Sequence, residues 1–334
     1  MIEIDGGFAS GGGQILRTAV GLSALTGKAC RITNVRAKRS NPGLREQHLQ
    51  AIKAVAELCS GELVGAQIGS TRIEFYPHRT REGGLNVNIA TAGSVGLVSQ
   101  ALLIPALQRS LRIRIKGGAT YGKWAVPIAY LQNVLSPLLK RMGYEIEMGV
   151  MREGFYPQGG AEVEVRTRRA RFRPLDITER GGIVSIKGIS VASDSLEKRK
   201  VAERQREACE KLLFDHFKVE PLIEVRYSPS LCPGSGIQVW VETANSVIGG
   251  NGLGEPGKKA EEVGREAARS LISEFEGGPV DSYAGDQLLP YLALAGGRIQ
   301  VSRITDHCQA NAFVIEKFLP VRFQIAGRTI SVQK

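Results

Sequence analysis

No apolar run in the sequence is long enough to span a bilayer. The opening MIEIDGG reads as the start of a strand, without the basic, apolar character of a leader peptide. We therefore expect a cytoplasmic protein with no membrane partner. The five cysteines, Cys30, Cys59, Cys209, Cys232 and Cys308, form no C-x-x-C pair and no Cys/His ligand spacing, so neither a disulfide framework nor a zinc site is suggested. Free thiols fit a reducing compartment. Aromatic residues make up only 6% of the chain, too few for the extended stacking surfaces of single-strand binders. Positive charge is what the chain has in excess. A net +11 favours polyanionic partners, and nucleic acid, anionic membrane and nucleotides all qualify, with phosphates carrying the attraction if RNA or DNA binds. With 334 residues, 43% hydrophobic and 23% charged, the chain is long and apolar enough for two domains with substantial cores.

Element order repeats along the chain. Met1–Asp5 reads as a strand, Gln14–Leu25 as a helix with Ile15, Ala19, Leu22 and Leu25 on one face, Ala29–Val35 as a strand and Gln47–Cys59 as a helix. Strands over Glu62–Ile68 and Thr71–Tyr76 close the unit. The same order returns with strand Asn86–Ile89, helix Ser94–Arg109, strand Leu111–Lys116, helix Val126–Met142, and strands Glu145–Met151 and Ala161–Arg166. A recurring unit of this kind points to one fold used more than once. The third copy starts with Phe172–Ile177 and resumes only with helix Asp286–Leu294, followed by Gln300–Ile304, Ala310–Phe318, Val321–Ile325 and Thr329–Val332. Residues 182–277 are surplus to it and read as an inserted small domain, with strands Val184–Val191, Leu222–Ser228 and Gly236–Glu242 and helices Ser195–Phe217 and Lys259–Phe275. Residues 1–181 and 278–334 then form the large domain.

Several stretches could carry chemistry. The glycine loop Gly6–Gly13 joins a strand to a helix, where backbone N–H groups can cradle phosphate, and Gln14 and Arg17 follow within one turn. Glycine here also serves tight turns for backbone reasons alone. Gly252–Lys259 approaches a phosphate-loop pattern, yet Lys259 stands where a hydroxyl is needed and Glu255 would repel phosphate, which favours a plain turn. Arg36, Lys38, Arg39 and Arg45 concentrate charge in a loop that could clamp a polyanion or simply be solvated. Tyr283-Ala284-Gly285-Asp286-Gln287 offers a ring, a carboxylate and an amide for a base and its ribose, although Asp286 could equally be an N-cap. In Gly297–Phe323 the turn Asp306-His307-Cys308 puts an imidazole where a helix begins, beside an anion-binding N-terminus. That imidazole can act as base or nucleophile, or be a polar cap residue.

Together these segments resemble the RNA 3'-terminal phosphate cyclase family nearly end to end. The blocks that carry the resemblance are DGGFASGGGQILRTAVGLSALTG, RAKRSNPGLREQHLQA, TAGSVGLVSQALL, GFYPQGG, SYAGDQLLPYLALAG and DHCQANAFVIEKFLPVRF. The resemblance implies an α/β fold of three βαβαββ repeats, with a thioredoxin-like domain inserted in the third. It implies attack of His307 on the α-phosphate of ATP, release of pyrophosphate, and passage of AMP to an RNA 3'-phosphate end that the ribose 2'-hydroxyl then closes into a 2',3'-cyclic phosphate. Arg17, Arg36, Arg39, Gln47 and Gln100 match the family's polar set. Tyr283, Ala284, Gly285, Asp286 and Gln287 match the ATP-binding segment, with Tyr283 and Pro127 against the adenine. A divalent metal, Mg or Mn, is implied beside ATP. Ser10, however, replaces the glutamate that the family pattern assigns to it, and a hydroxyl is a poorer ligand for a hard cation, so the metal ligands stay unassigned. The alternative is a catalytically weakened or non-enzymatic RNA-binding or ribosome-assembly relative of the same fold. The retained His307 argues against complete loss of activity, and the oligomeric state is left open.

Overall fold

A computed structural model describes residues 1–9 and 11–333, so Ser10 lies outside the described residues. Three times the chain closes into the same four-stranded sheet. The first is built from β1 (Ile2–Asp5), α1 (Gly13–Thr26), β2 (Cys30–Thr33), α2 (Glu46–Cys59), β3 (Glu62–Val64) and β4 (Ile73–Tyr76) in the order β1-β2-β4-β3. The second uses β5 (Gly83–Ser94), α3 (Val95–Ala106), β6 (Leu111–Ala119), a helical stretch of α4 (Ile128–Tyr130), a π-helical turn Leu131–Leu135 and α5 (Ser136–Arg141), then β7 (Ile146–Arg152) and β8 (Glu162–Thr167), in the order β5-β6-β8-β7. The third opens with β9 (Leu175–Ile177).

Before that third unit continues, the chain makes β10 (Ile183–Ser193), a 3-10 turn Asp194–Arg199, α6 (Val201–Phe217), β11 (Pro221–Ser228), β12 (Ser235–Thr243), β13 (Val247–Leu253) and α7 (Ala260–Gly277). It then resumes with α8 (Ser282–Gln287), α9 (Leu289–Ala295), β14 (Gly297–Gln300), α10 (Asp306–Phe318), β15 (Arg322–Ala326) and β16 (Thr329–Gln333), in the order β9-β14-β16-β15. In all three repeats the first two strands run parallel across a helical crossover and the others pair antiparallel. This is a mixed α/β architecture.

Period-two patterning sets which face of each sheet is covered. Along β6, Leu111, Ile113 and Ile115 are buried while Arg112, Arg114 and Lys116 face solvent. Helices α1 and α3 are apolar on nearly all sides and lie inside, touching where a Cβ on Gly21 would stand 3.1 Å from Ile104. The sheet β11-β10-β12-β13 is two-sided. Ile186, Ile237, Val239 and Val241 form a separate core with α6 and α7, whereas Ile189, Val191 and Trp240, on the opposite face, join the large core.

Several expected boundaries move. β13 goes unanticipated because its VIGGNGL pattern looks like a loop; a Cβ on Gly249, Gly250 or Gly252 would come within 2.7, 2.4 or 2.3 Å of Tyr130, Leu271 or Val263. The helix expected over Ser195–Phe217 breaks at Lys200, whose φ of 49° is left-handed. Asp281, with φ −67° and ψ 162°, starts α8 ahead of the expected Asp286. The strand expected to reach Ile304 ends at Gln300, and α10 starts four residues before Ala310. The Gly252–Lys259 stretch ends β13 and turns into α7, with the Lys258 ammonium occupied by Leu253 O and Glu266. Among the described residues no helix is long and apolar enough to cross a membrane.

Candidate active site

Thr305 Oγ1 accepts from Cys308 N (3.1 Å) and so caps α10, which makes His307 the second residue of that helix. Asn311 lies one turn further on the same face and is fully buried. Its Oδ1 accepts from Thr18 Oγ1 (2.7 Å) and Gln14 Nε2 (3.3 Å), and its Nδ2 donates to Asp286 O (2.8 Å). One amide thus joins α10 to α1 and α8. The Gly6–Gly13 loop docks on the same helix through Phe8, stacked on Phe313 at 4.2 Å, and Lys38 Nζ donates to Ala9 O. Helix α1 has Gly12 as N-cap, with no side-chain cap and no acid in its first turn, so it brings the positive end of its dipole to the site.

Arg17 follows in α1. It is buried, it donates to Gln14 Oε1 at 2.6 Å, and its Nε has no partner. Burial lowers its pKa to about 10 against the pull of Asp286. The Asp286 carboxyl is pushed up to about 8 by burial, with Arg17 opposing and Asp281 reinforcing, so it keeps its proton at neutral pH. His307 is half-buried and held below the ordinary imidazole range, first by burial, then by Arg17 and Arg39, with Asp306 opposing. Its Nδ1 is buried without a partner. The result is a neutral ring with a lone pair available at pH 7.

The basic loop converges here. His48 is driven to about 3, first by burial and then by the positive charge of Arg17, Arg36, Arg39 and Arg45. Gly13 lets that ring approach closely, since a Cβ there would stand 2.1 Å from its Nε2. Arg36 has a φ of 54° and spends Nη1 on Asn41 O and Gly43 O, closing its own loop, whereas Arg39 is exposed. Gln47 sits half-buried in the first turn of α2. Gln100, on α3, lines a small cavity together with Gln14, Arg17 and Gln287.

Asp281 organises the other wall. Its Oδ1 accepts from Tyr130 Oη (2.5 Å), Tyr283 N (3.0 Å) and Ala284 N (2.9 Å), and its Oδ2 from Gly249 N (3.0 Å). Asp286, weighed above as an N-cap, is therefore inside α8, and Asp281 is the cap. Tyr283 keeps 38% of its surface and meets Tyr130 edge-on at 6.0 Å, while Ala284, Gly285, Asp286 and Gln287 turn inward. Gly285 fits against Val301, 2.7 Å from where a Cβ would be. Pro127 is the buried N-cap residue of α4, three positions before Tyr130. Helices α1, α8 and α10 are thus joined through Asn311, with Gln14, Arg17, Gln100 and Gln287 around one small cavity and Tyr283 on the outer side of α8.

The model of the RNA 3'-terminal phosphate cyclase family matches residues 8–325. The chain belongs to that family. It is 44% identical to the RNA 3'-terminal phosphate cyclase of Methanopyrus kandleri, covering 98% of this chain and 96% of the relative. The proteins of the same name from Thermococcus onnurineus and Pyrococcus abyssi are 46% and 44% identical, again over 98% of this chain and 96% of theirs. Two residues of this candidate site escape the sequence reading. Asn311 was signalled only by its four-residue distance from His307, and Asp281 only by standing immediately before the SYAGDQ run. Among the described residues no group of three or more His, Cys, Asp or Glu is placed to hold a metal ion on protein ligands alone, so an ion bound with ATP would draw most of its ligands from phosphate oxygens and water.

Proposed function

We propose that this chain converts RNA 3'-phosphate ends to 2',3'-cyclic phosphates at the expense of ATP, with His307 carrying the adenylyl group. The observation that carries this reading is a neutral imidazole at the start of α10, with Arg17 and Arg39 acting on it. A ring nitrogen of His307 attacks the α-phosphorus, the P–O bond to pyrophosphate breaks, and pyrophosphate leaves. An oxygen of the RNA 3'-phosphate next attacks the same phosphorus and breaks the P–N bond, which restores the imidazole. The neighbouring 2'-hydroxyl closes on the RNA phosphorus, AMP departs, and the hydroxyl proton goes to solvent.

In this reading Arg17, Arg36, Arg39, Gln47 and Gln100 neutralise charge on the phosphates, the electrostatic work that dominates phosphoryl transfer. Tyr283 and Pro127 hold the adenine, and Ala284, Gly285, Asp286 and Gln287 form the floor beneath the nucleotide. The protonated Asp286 leaves the charge of Arg17 free for phosphate. No step is assigned to a metal; a divalent ion carried in with ATP would be held mainly by phosphate oxygens and water and would add positive charge at the phosphates. We propose further that 182–277 is an inserted domain in a large domain of 1–181 and 278–334, supported by its own sheet and its own core on one face. A cytoplasmic location is in keeping with five free, buried thiols.

Incubation with ATP labelled in the α-phosphate is expected to leave acid-labile label on the protein and none on His307→Ala. Label persisting on that variant overturns the assignment. No label on the native chain, with label appearing on Ser10→Glu, would instead favour the RNA-binding relative.

A further inference from the structure

The loop between β6 and α4 holds a tryptophan whose placement the fold does not explain. Trp124 is 92% exposed, and its φ of 59° is left-handed, a conformation that a bulky L-residue adopts only when its surroundings impose it. The surroundings do impose it. A bridge between Gly122 and Ala125 closes a tight turn around Lys123 and Trp124, and Ile128 N donates to Thr120 O at the base of the loop. The Lys123 ammonium lies 3.2 Å from Glu255 on the turn before α7, and Val126 O lies 2.8 Å from where a Cβ of Gly96 would be, against the start of α3. The loop is thus fastened on both sides while its largest ring is presented to solvent.

Its position is as telling. Trp124 is three residues from Pro127, within about 11 Å along the chain, and Pro127 leads into the Tyr130 that meets Tyr283. Trp124 therefore lies close in the chain to the residue assigned to the adenine, with its indole open to solvent. Resting on the cyclase reading, we propose that Trp124 stacks on a base near the 3' end of the RNA substrate. Phosphates fix the strand through the arginine cluster, and the indole supplies a sequence-tolerant apolar contact that orients its end. One aromatic suffices for that, so the low aromatic content is no obstacle.

The chain holds two tryptophans, and the other, Trp240, is buried at 6% exposure, so intrinsic emission reports Trp124 against a sheltered background. Titration of the native protein with single-stranded RNA bearing a 3'-phosphate, without ATP, is expected to quench and blue-shift the emission saturably. Trp124→Ala is expected to bind that RNA about 5- to 100-fold more weakly by anisotropy, with Trp124→Tyr keeping most of the affinity. Equal affinity of the alanine variant and the native chain overturns the proposal. So does quenching by ATP alone, which would assign the ring to adenine, or emission that follows protein concentration and ignores RNA, which would make it a subunit contact. Labelling of His307 by ATP needs no RNA and decides the cyclase reading separately.

Discussion

At the scale of single residues the site runs on suppressed charge. Asp286 is the clearest case, because its folded pKa of about 8 lies far above that of a free carboxyl. The native protein holds a proton there that the unfolded chain has released, so this group lowers stability progressively as pH rises from about 4 to about 8. Asp281, raised to about 6 by burial, acts in the same direction over the lower part of that range. His48 opposes both: at about 3 in the folded state it refuses a proton that the unfolded imidazole takes, so its contribution grows with pH up to about 6.5. His307, also lowered, adds to His48. Between about pH 6.5 and 8 the histidines and Asp281 are spent and Asp286 remains. Over that interval native stability is expected to fall by on the order of 1–2 kcal/mol, and Asp286→Asn to flatten the fall. Denaturant midpoints at half-unit pH steps decide it, and a slope retained in the asparagine variant would show that Asp286 ionises normally.

At the scale of elements the question is what aims His307, since α10 meets α1 and α8 through few polar groups. Asn311 is the joint. Asn311→Ala removes its bonds to Thr18, Gln14 and Asp286 and leaves buried polar groups behind, at a cost of about 1–3 kcal/mol. If the joint also aims the imidazole, the rate of ATP labelling at a temperature where the variant is fully folded is expected to drop as well. A variant that is less stable yet labels at the native rate would confine Asn311 to structure. The legibility of these elements follows from where their causes lie. Helical spacing and the Asp306-His307-Cys308 turn are local, so α10 and its histidine can be read from the chain, as can the repeated element order. The three glycines of β13 are required by Tyr130, Leu271 and Val263, which come from elsewhere in the chain, so VIGGNGL carries no strand signal by itself. Lys200 turns left-handed without a glycine to announce it. Arg17, Asp286 and Asn311 are brought together only by folding, and the shifted pKa values they produce have no local signature.

At the scale of the whole molecule, 182–277 has its own sheet, yet it is not a free appendage. One face of that sheet makes a core with α6 and α7, while Ile189, Val191 and Trp240 on the other enter the core shared by the three repeats. A polar tie reinforces the contact, because Asp281 accepts at once from Tyr130 of the second repeat and Gly249 of the insert while capping the helix of the proposed nucleotide wall. Unfolding the insert alone would expose that apolar face and leave Asp281 short of a donor, so the molecule is expected to unfold as one unit. With Trp124→Phe, emission comes from Trp240 alone and reports the buried face of β12, while far-UV circular dichroism reports the whole chain. The two signals are expected to trace one urea transition with a common midpoint. Gly249→Ala, whose Cβ would press to 2.7 Å from the Tyr130 ring, is expected to cost about 1–3 kcal/mol and move both signals together. If Trp240 emission moves alone, the insert is a separate folding unit, and Asp281 does not couple it to the rest.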